Sequence, residues 1–216
     1  MIDLLNTAPA HFLAGMVVTV SSAIYGFGHL NREVSLVRSF WKSLPVMTMA
    51  GIAIYFHAPP LLFVAMSLCA LGDYFLSRGD GRFIPGLFAF LAGHLVYIAL
   101  FIALSAGAGF GWSMLLVILY SSVFTAYLWR TTGKYRWPVF AYVLVITAMA
   151  AVSLTLPSAY LLTVVGVFVF VFSDSVLAVR MFIVTDRRAK LRLSWAVWVS
   201  YILGQSMILV GVIAAT

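Results

Sequence analysis

The feature that most constrains this chain is a succession of long apolar runs, separated by short connections. A hydrocarbon core about 30 Å thick is crossed by a helix of roughly 20 apolar residues, each rising 1.5 Å. Eight candidate spans follow, at residues 10–29, 40–56, 59–77, 83–104, 111–129, 137–156, 158–180 and 193–214. The second is short, and Pro59–Pro60 marks a tight turn before the third. The runs are continuous rather than alternating, and lipid leaves no solvent partner for backbone N–H and C=O groups. Helices are therefore expected, not a barrel. With 64% hydrophobic and 9% charged residues and a mean hydropathy of +1.10, the chain has too little polar surface for a soluble fold of 216 residues. The expected class is an all-α polytopic membrane protein forming a single domain over 1–216.

The thirteen Lys and Arg residues are not scattered. Arg32, Arg38 and Lys42 fall in or beside the first connection, Arg78 and Arg82 beside the third, and Arg130, Lys134 and Arg136 in the fifth. Arg180, Arg187, Arg188, Lys190 and Arg192 flank or fill the seventh. The even connections and the termini have none. By the positive-inside rule the odd connections are expected in the cytoplasm and both termini outside. In a bacterial cell this would be the inner membrane. The same distribution explains a pI near 9.8 without nucleic acid, because the basic residues are spread over four connections. The first run, HFLAGMVVTVSSAIYGFG, has neither a preceding cation nor a clear cleavage site, and is expected to stay as a span.

Two aspartates lie inside apolar runs: Asp73 in SLCALGDYFLS and Asp174 in FVFSDSVLAV. A carboxyl in a span is costly, so it marks a functional site by default. Asp73 precedes Arg78 by five residues and Asp174 precedes Arg180 by six, which places both roughly 7–10 Å in from the basic end. The single cysteine, Cys69, excludes an intrachain disulfide and reads as a buried core thiol. His11, His29, His57 and His94 show no ligand spacing, so neither a metal nor another cofactor is expected.

The halves, about 1–105 and 106–216, echo each other. GDYFL at Gly72–Leu76 matches SDSVL at Ser173–Leu177, and FLAGHLVY at Phe90–Tyr97 matches YILGQSMI at Tyr201–Ile208. Two parallel four-helix repeats would produce such an echo. Gly86, Phe90, Gly93, His94 and Tyr97 share one face of the fourth span. Ser194, Trp198, Tyr201 and Gln205 form a stripe on the eighth. Polar groups in lipid belong in the protein interior.

Taken in order, GDxxL at Gly72–Leu76, Gly86-Leu87-x-x-Phe90, Gly93-His94-x-x-Tyr97, SDxxLA at Ser173–Ala178 and Tyr201-x-x-Gly204-Gln205 resemble the YhhN/TMEM86 family. Lys42 with Pro45 resembles that family's Lys-Pro region, with a different spacing. The resemblance covers nearly the whole chain. It implies a lysoplasmalogenase, which cleaves the vinyl ether of a lysoplasmalogen to a fatty aldehyde and glycerophosphoethanolamine or glycerophosphocholine.

That reaction needs an acid more than a nucleophile. Protonation of the carbon β to the ether oxygen gives an oxocarbenium ion, water adds, and the hemiacetal collapses. One carboxylic acid delivers the proton; a second carboxylate stabilises the cation and deprotonates the water, as in paired-carboxylate glycoside hydrolysis. Asp73 and Asp174 facing each other would serve, with Asp174 favoured as the persistent carboxylate. His94, Tyr97, Tyr201 and Gln205 are candidate substrate contacts. Lys42 is the first choice for the lysophospholipid phosphate, with Arg38, Arg78 and Arg180 as alternatives; Lys42 could instead pair with an aspartate. The rival classes are a proton-coupled transporter of a lipid or small solute, and a structural membrane protein with inert carboxyls.

Overall fold

The computed structural model describes residues 2–105, 107 and 111–216; of these, the side chains of residues 2–11 and of residue 80 lie outside what is described. The described residues fold into eight long α-helices and no strand: α1 (Ile2–Ala23), α2 (Leu36–Tyr55), α3 (Pro60–Leu76), α4 (Phe83–Leu104), α5 (Trp112–Trp129), α6 (Arg136–Ser153), α7 (Leu161–Phe182) and α8 (Arg187–Ala215). Among the described residues, six regions are long and apolar enough to cross a membrane: the stretch Phe12–His29 and the regions containing α4, α5, α6, α7 and α8. Six of the eight expected spans thus meet this measure of length and composition. The α3 helix has only 17 residues, and α2 is not among the six; α2 carries Arg38 and Lys42 in its first two turns.

Helix ends follow capping chemistry rather than hydropathy. Ser35 Oγ accepts from Arg38 N at 3.1 Å, starting α2 four residues before the apolar run. Asp186 accepts from Ala189 N at 2.7 Å and starts α8 at Arg187, six residues before the expected 193. The Pro59–Pro60 turn stands where it was expected, with Pro60 opening α3. After Ala23 the chain continues as a π-helix, Ile24–His29, which brings Tyr25 into the core. There Trp198 Nε1 donates to Ser22 O at 3.1 Å, tying the end of α1 to α8.

The α7–α8 and α3–α4 pairs pack most extensively, followed by α2–α3; α4 then meets α6, and α8 meets α2. Exchanging each helix for the one four places later maps α3–α4 onto α7–α8 and α4–α6 onto α8–α2, whereas α2–α3 maps onto α6–α7, a much less extensive contact. One pair of close approaches uses glycines at matching places in the sequence echo, Gly93 and Gly204. A Cβ at Gly93 would stand 3.2 Å from Ala65 O of α3. One at Gly204 would stand 2.9 Å from Gly166 O and Phe170 N of α7. Main-chain atoms of a packed helix cannot yield as a side chain can, so Gly204→Ala is expected to cost about 1–3 kcal/mol. Thermal unfolding in detergent checks this against Gly51→Ala, whose added Cβ meets nothing within 4 Å.

Large apolar side chains remain exposed along α5, among them Leu116, Leu119 and Val123. In a membrane protein this outer face is solvated by lipid rather than water. The two predicted interior stripes are buried: Gly86, Phe90, Gly93, His94 and Tyr97 on α4, and Ser194, Trp198, Tyr201 and Gln205 on α8. Cys69 is fully buried in the core between them.

Candidate active site

Asp73 sits on α3 one turn from its C-terminal end, and its side chain is 2% exposed. Lys42 of α2 places Nζ 3.2 Å from Asp73 Oδ1. Tyr201 of α8 donates its hydroxyl proton to Asp73 Oδ2 at 2.7 Å. One carboxylate thus joins three helices through an ion pair and a hydrogen bond. Of the open alternatives for Lys42, the pairing with an aspartate is the one present.

Asp174, on α7, has different company. Tyr142 of α6 donates to Asp174 Oδ2. His94 of α4 holds Nε2 4.0 Å from the same oxygen, too far for a direct hydrogen bond. His94 Nδ1 lies 2.5 Å from Phe90 O, and a carbonyl only accepts, so Nδ1 carries the proton. In the neutral ring, Nε2 then presents a lone pair; it is fully buried and has no hydrogen-bond partner among the described residues. Among the described residues no cation stands within ion-pair distance of Asp174 apart from this imidazole.

The two carboxyls do not hydrogen-bond to each other in the described structure. They line one cavity of about 290 Å³, together with Tyr25, Arg38, Lys42, Arg180, Ser194 and Tyr201. Apart from Tyr201, which sits deeper in α8, these residues lie near the helix ends at the first, third and seventh connections, so the cavity lies toward the basic end. A second cavity of about 80 Å³, lined by Tyr120, Phe124, Val139, Val143 and Phe182 among others, is almost wholly apolar. The two share the walls Leu76, Phe83, Phe90, Asp174, Leu177 and Met181. Among the described residues, Asp174 is the one charged residue that lines the apolar cavity. It stands at the junction between a polar compartment and an oily one.

Of the other predicted contacts, Tyr201 reaches the site directly. Tyr97 and Gln205 bond to each other instead, with the Tyr97 hydroxyl donating to Gln205 Oε1 at 2.6 Å. Both are fully buried, lie further from the basic end, and line neither cavity. His94 also stands behind the cavity wall, against Asp174. His29 and His57 line neither cavity, and the side chain of His11 is outside the described residues.

Tyr142 is the site residue that sequence reading missed. A signal existed: Lys42 precedes Asp73 by 31 residues and Tyr142 precedes Asp174 by 32, on helices that correspond in the echo.

The sequence pattern of the YhhN family matches residues 37–212. The chain belongs to the YhhN family. The match runs from the start of α2 to near the end of α8, includes both aspartates and their hydrogen-bonding tyrosines, and leaves α1 outside. No curated protein and no solved structure matches the chain.

Proposed function

We propose that this YhhN-family protein is a lysoplasmalogenase-like hydrolase that cleaves the vinyl ether of a single-chain phospholipid. One observation carries the reading: two carboxyls line one cavity with unlike partners, where that cavity meets an apolar one. An amphiphile suits such a pair of compartments, with its headgroup among the basic residues and its chain beyond Asp174.

The partners assign the roles. Asp73 sits against an ammonium group and serves as the standing carboxylate, the reverse of the expectation that favoured Asp174. Asp174 has no such cation and serves as the acid. It gives its proton to the vinyl carbon β to the ether oxygen, and the C=C π electrons form the new C–H bond. Asp73 stabilises the resulting oxocarbenium ion electrostatically. Water adds to the cationic carbon, and its proton returns to Asp174, which lines the cavity. The hemiacetal then expels the glycerol oxygen, which takes the hemiacetal hydroxyl proton, and fatty aldehyde is released. One water is consumed, and both aspartates end as they began. No direct contact between the carboxyls is needed.

Tyr142 fixes the orientation of Asp174, so Tyr142→Phe is expected to slow turnover about 10- to 100-fold while the protein still folds. The scale is that of losing a partner that orients a reacting group. Steady-state aldehyde release, with the unfolding temperature as control, checks it. The function itself is tested with purified protein and lysoplasmenylethanolamine, reading both products by mass. Fatty aldehyde and glycerophosphoethanolamine should appear one for one. A folded protein that releases no aldehyde would remove this reading and leave the carrier class to be tested.

The membrane placement belongs to the same proposal. α2 and α3 cross the bilayer with the six longer regions, shielded by the helices around them. The odd connections face the cytoplasm of a bacterial inner membrane. The partial exchange symmetry of neighbouring helices and the paired glycines support two parallel four-helix repeats.

A further inference from the structure

Arg38 and Arg180 carry charges that nothing in the described protein balances. Both are half-buried and both line the polar cavity. Arg38 is held by main chain, with Nε donating to His29 O at 3.2 Å and Nη1 to Ser77 O at 2.8 Å. Arg180 is held by Ser194, whose Oγ accepts from Nε at 2.7 Å. Both arginines therefore present their charge to the same cavity. Among the described residues neither lies within ion-pair distance of a carboxylate. A guanidinium has five N–H groups. Two are used on Arg38 and one on Arg180, which leaves three and four without a protein partner among the described residues.

Two like charges held around one cavity repel unless an anion sits between them. A phosphate meets the need, because its oxygens match the guanidinium fork and accept several charge-assisted hydrogen bonds at once. Lys42, the first choice from sequence, is engaged by Asp73. Arg180 and Asp174 are six residues apart on one helix, about 9 Å along its axis. The reach of an arginine side chain and a glycerol unit bridges that distance.

We propose that Arg38 and Arg180 clamp the phosphodiester of a single-chain phospholipid whose chain runs past Asp174 into the apolar cavity. The assignment rests on the proposed function for the amphiphilic nature of the ligand, but not for the bond that is cleaved. Binding therefore tests it separately from catalysis. Purified protein in a neutral maltoside detergent is titrated with lysophosphatidylcholine, an acyl ester, and with the monoacylglycerol of the same chain; Trp198, which lines the cavity, supplies a fluorescence signal.

The lysophospholipid is expected to bind at least about tenfold more tightly than the neutral lipid, the scale of charge-assisted hydrogen bonds. Arg180→Gln should remove most of that difference. Arg78→Gln, at the same end but outside the cavity lining, should leave it unchanged. Equal binding of the neutral lipid, or an unaltered Arg180→Gln, would overturn the clamp. Inorganic phosphate or glycerophosphocholine competing as strongly as the lipid would show a site for soluble phosphates and overturn the lipid assignment. The wild-type comparison needs no substitution, so it decides the matter even if an arginine variant does not fold. A failed aldehyde assay leaves this result standing, and equal binding of the neutral lipid leaves aldehyde release standing.

Discussion

Asp174→Asn is expected to lower aldehyde release by about 10²- to 10⁴-fold, the range supplied by a positioned general acid, while leaving the protein folded. Asparagine keeps the shape of the side chain, and its amide oxygen can still accept from the Tyr142 hydroxyl that Asp174 Oδ2 now receives. What it lacks is a proton it can give to carbon. The loss should appear in kcat, because the substrate's chain and headgroup contacts remain. Kinetics of the variant against wild type, with matched unfolding temperatures, check it. A variant with wild-type turnover would mean that Asp174 is a buried structural carboxyl.

The second large effect falls on folding. Lys42→Met leaves Asp73 2% exposed with no cation, only the Tyr201 hydroxyl remaining at Oδ2. Breaking a buried pair by removing one partner costs about 3–5 kcal/mol, chiefly because the other charge is stranded. Lys42→Met should therefore unfold at a clearly lower temperature than wild type in the same detergent. The double variant Lys42→Met with Asp73→Asn should recover most of the loss, since it removes the stranded charge as well. Recovery of stability without recovery of activity is the expected pattern, because Asp73 is the standing carboxylate of the reaction. If the single variant is as stable as wild type, Lys42 is not holding Asp73.

Some of this site was legible in the sequence because its residues are anomalies. A carboxyl in an apolar run stands out whatever surrounds it, and both aspartates line the cavity. The stripes on α4 and α8 were legible because a 3.6-residue period places polar and small residues on one face, and that face is buried. Pairings between helices were not legible. Whether Lys42 meets a phosphate or Asp73 depends on the relative height and rotation of α2 and α3, which periodicity within one helix does not contain. Tyr142 was missed for a related reason: a tyrosine is tolerated anywhere in a membrane helix, so it becomes informative only once α6 is seen beside α7. Helix ends were misplaced at Leu36 and Arg187 because hydropathy marks where lipid would begin, whereas Ser35 and Asp186 mark where the helix begins. The π-helix after Ala23 leaves no hydropathy trace at all.

The central claim is that Asp174 protonates carbon in a cavity where Asp73 remains charged. Only a vinyl ether offers a carbon that can accept that proton. The most direct measurement gives purified wild-type protein three lysophospholipids that differ in one linkage, vinyl ether, saturated alkyl ether and acyl ester, and reads glycerophosphoethanolamine release from each. Release from the vinyl ether alone, with both Asp73→Asn and Asp174→Asn inactive, is the predicted result. Release from the ester or the saturated ether at a comparable rate would contradict it, because neither can form the oxocarbenium ion by protonation at carbon.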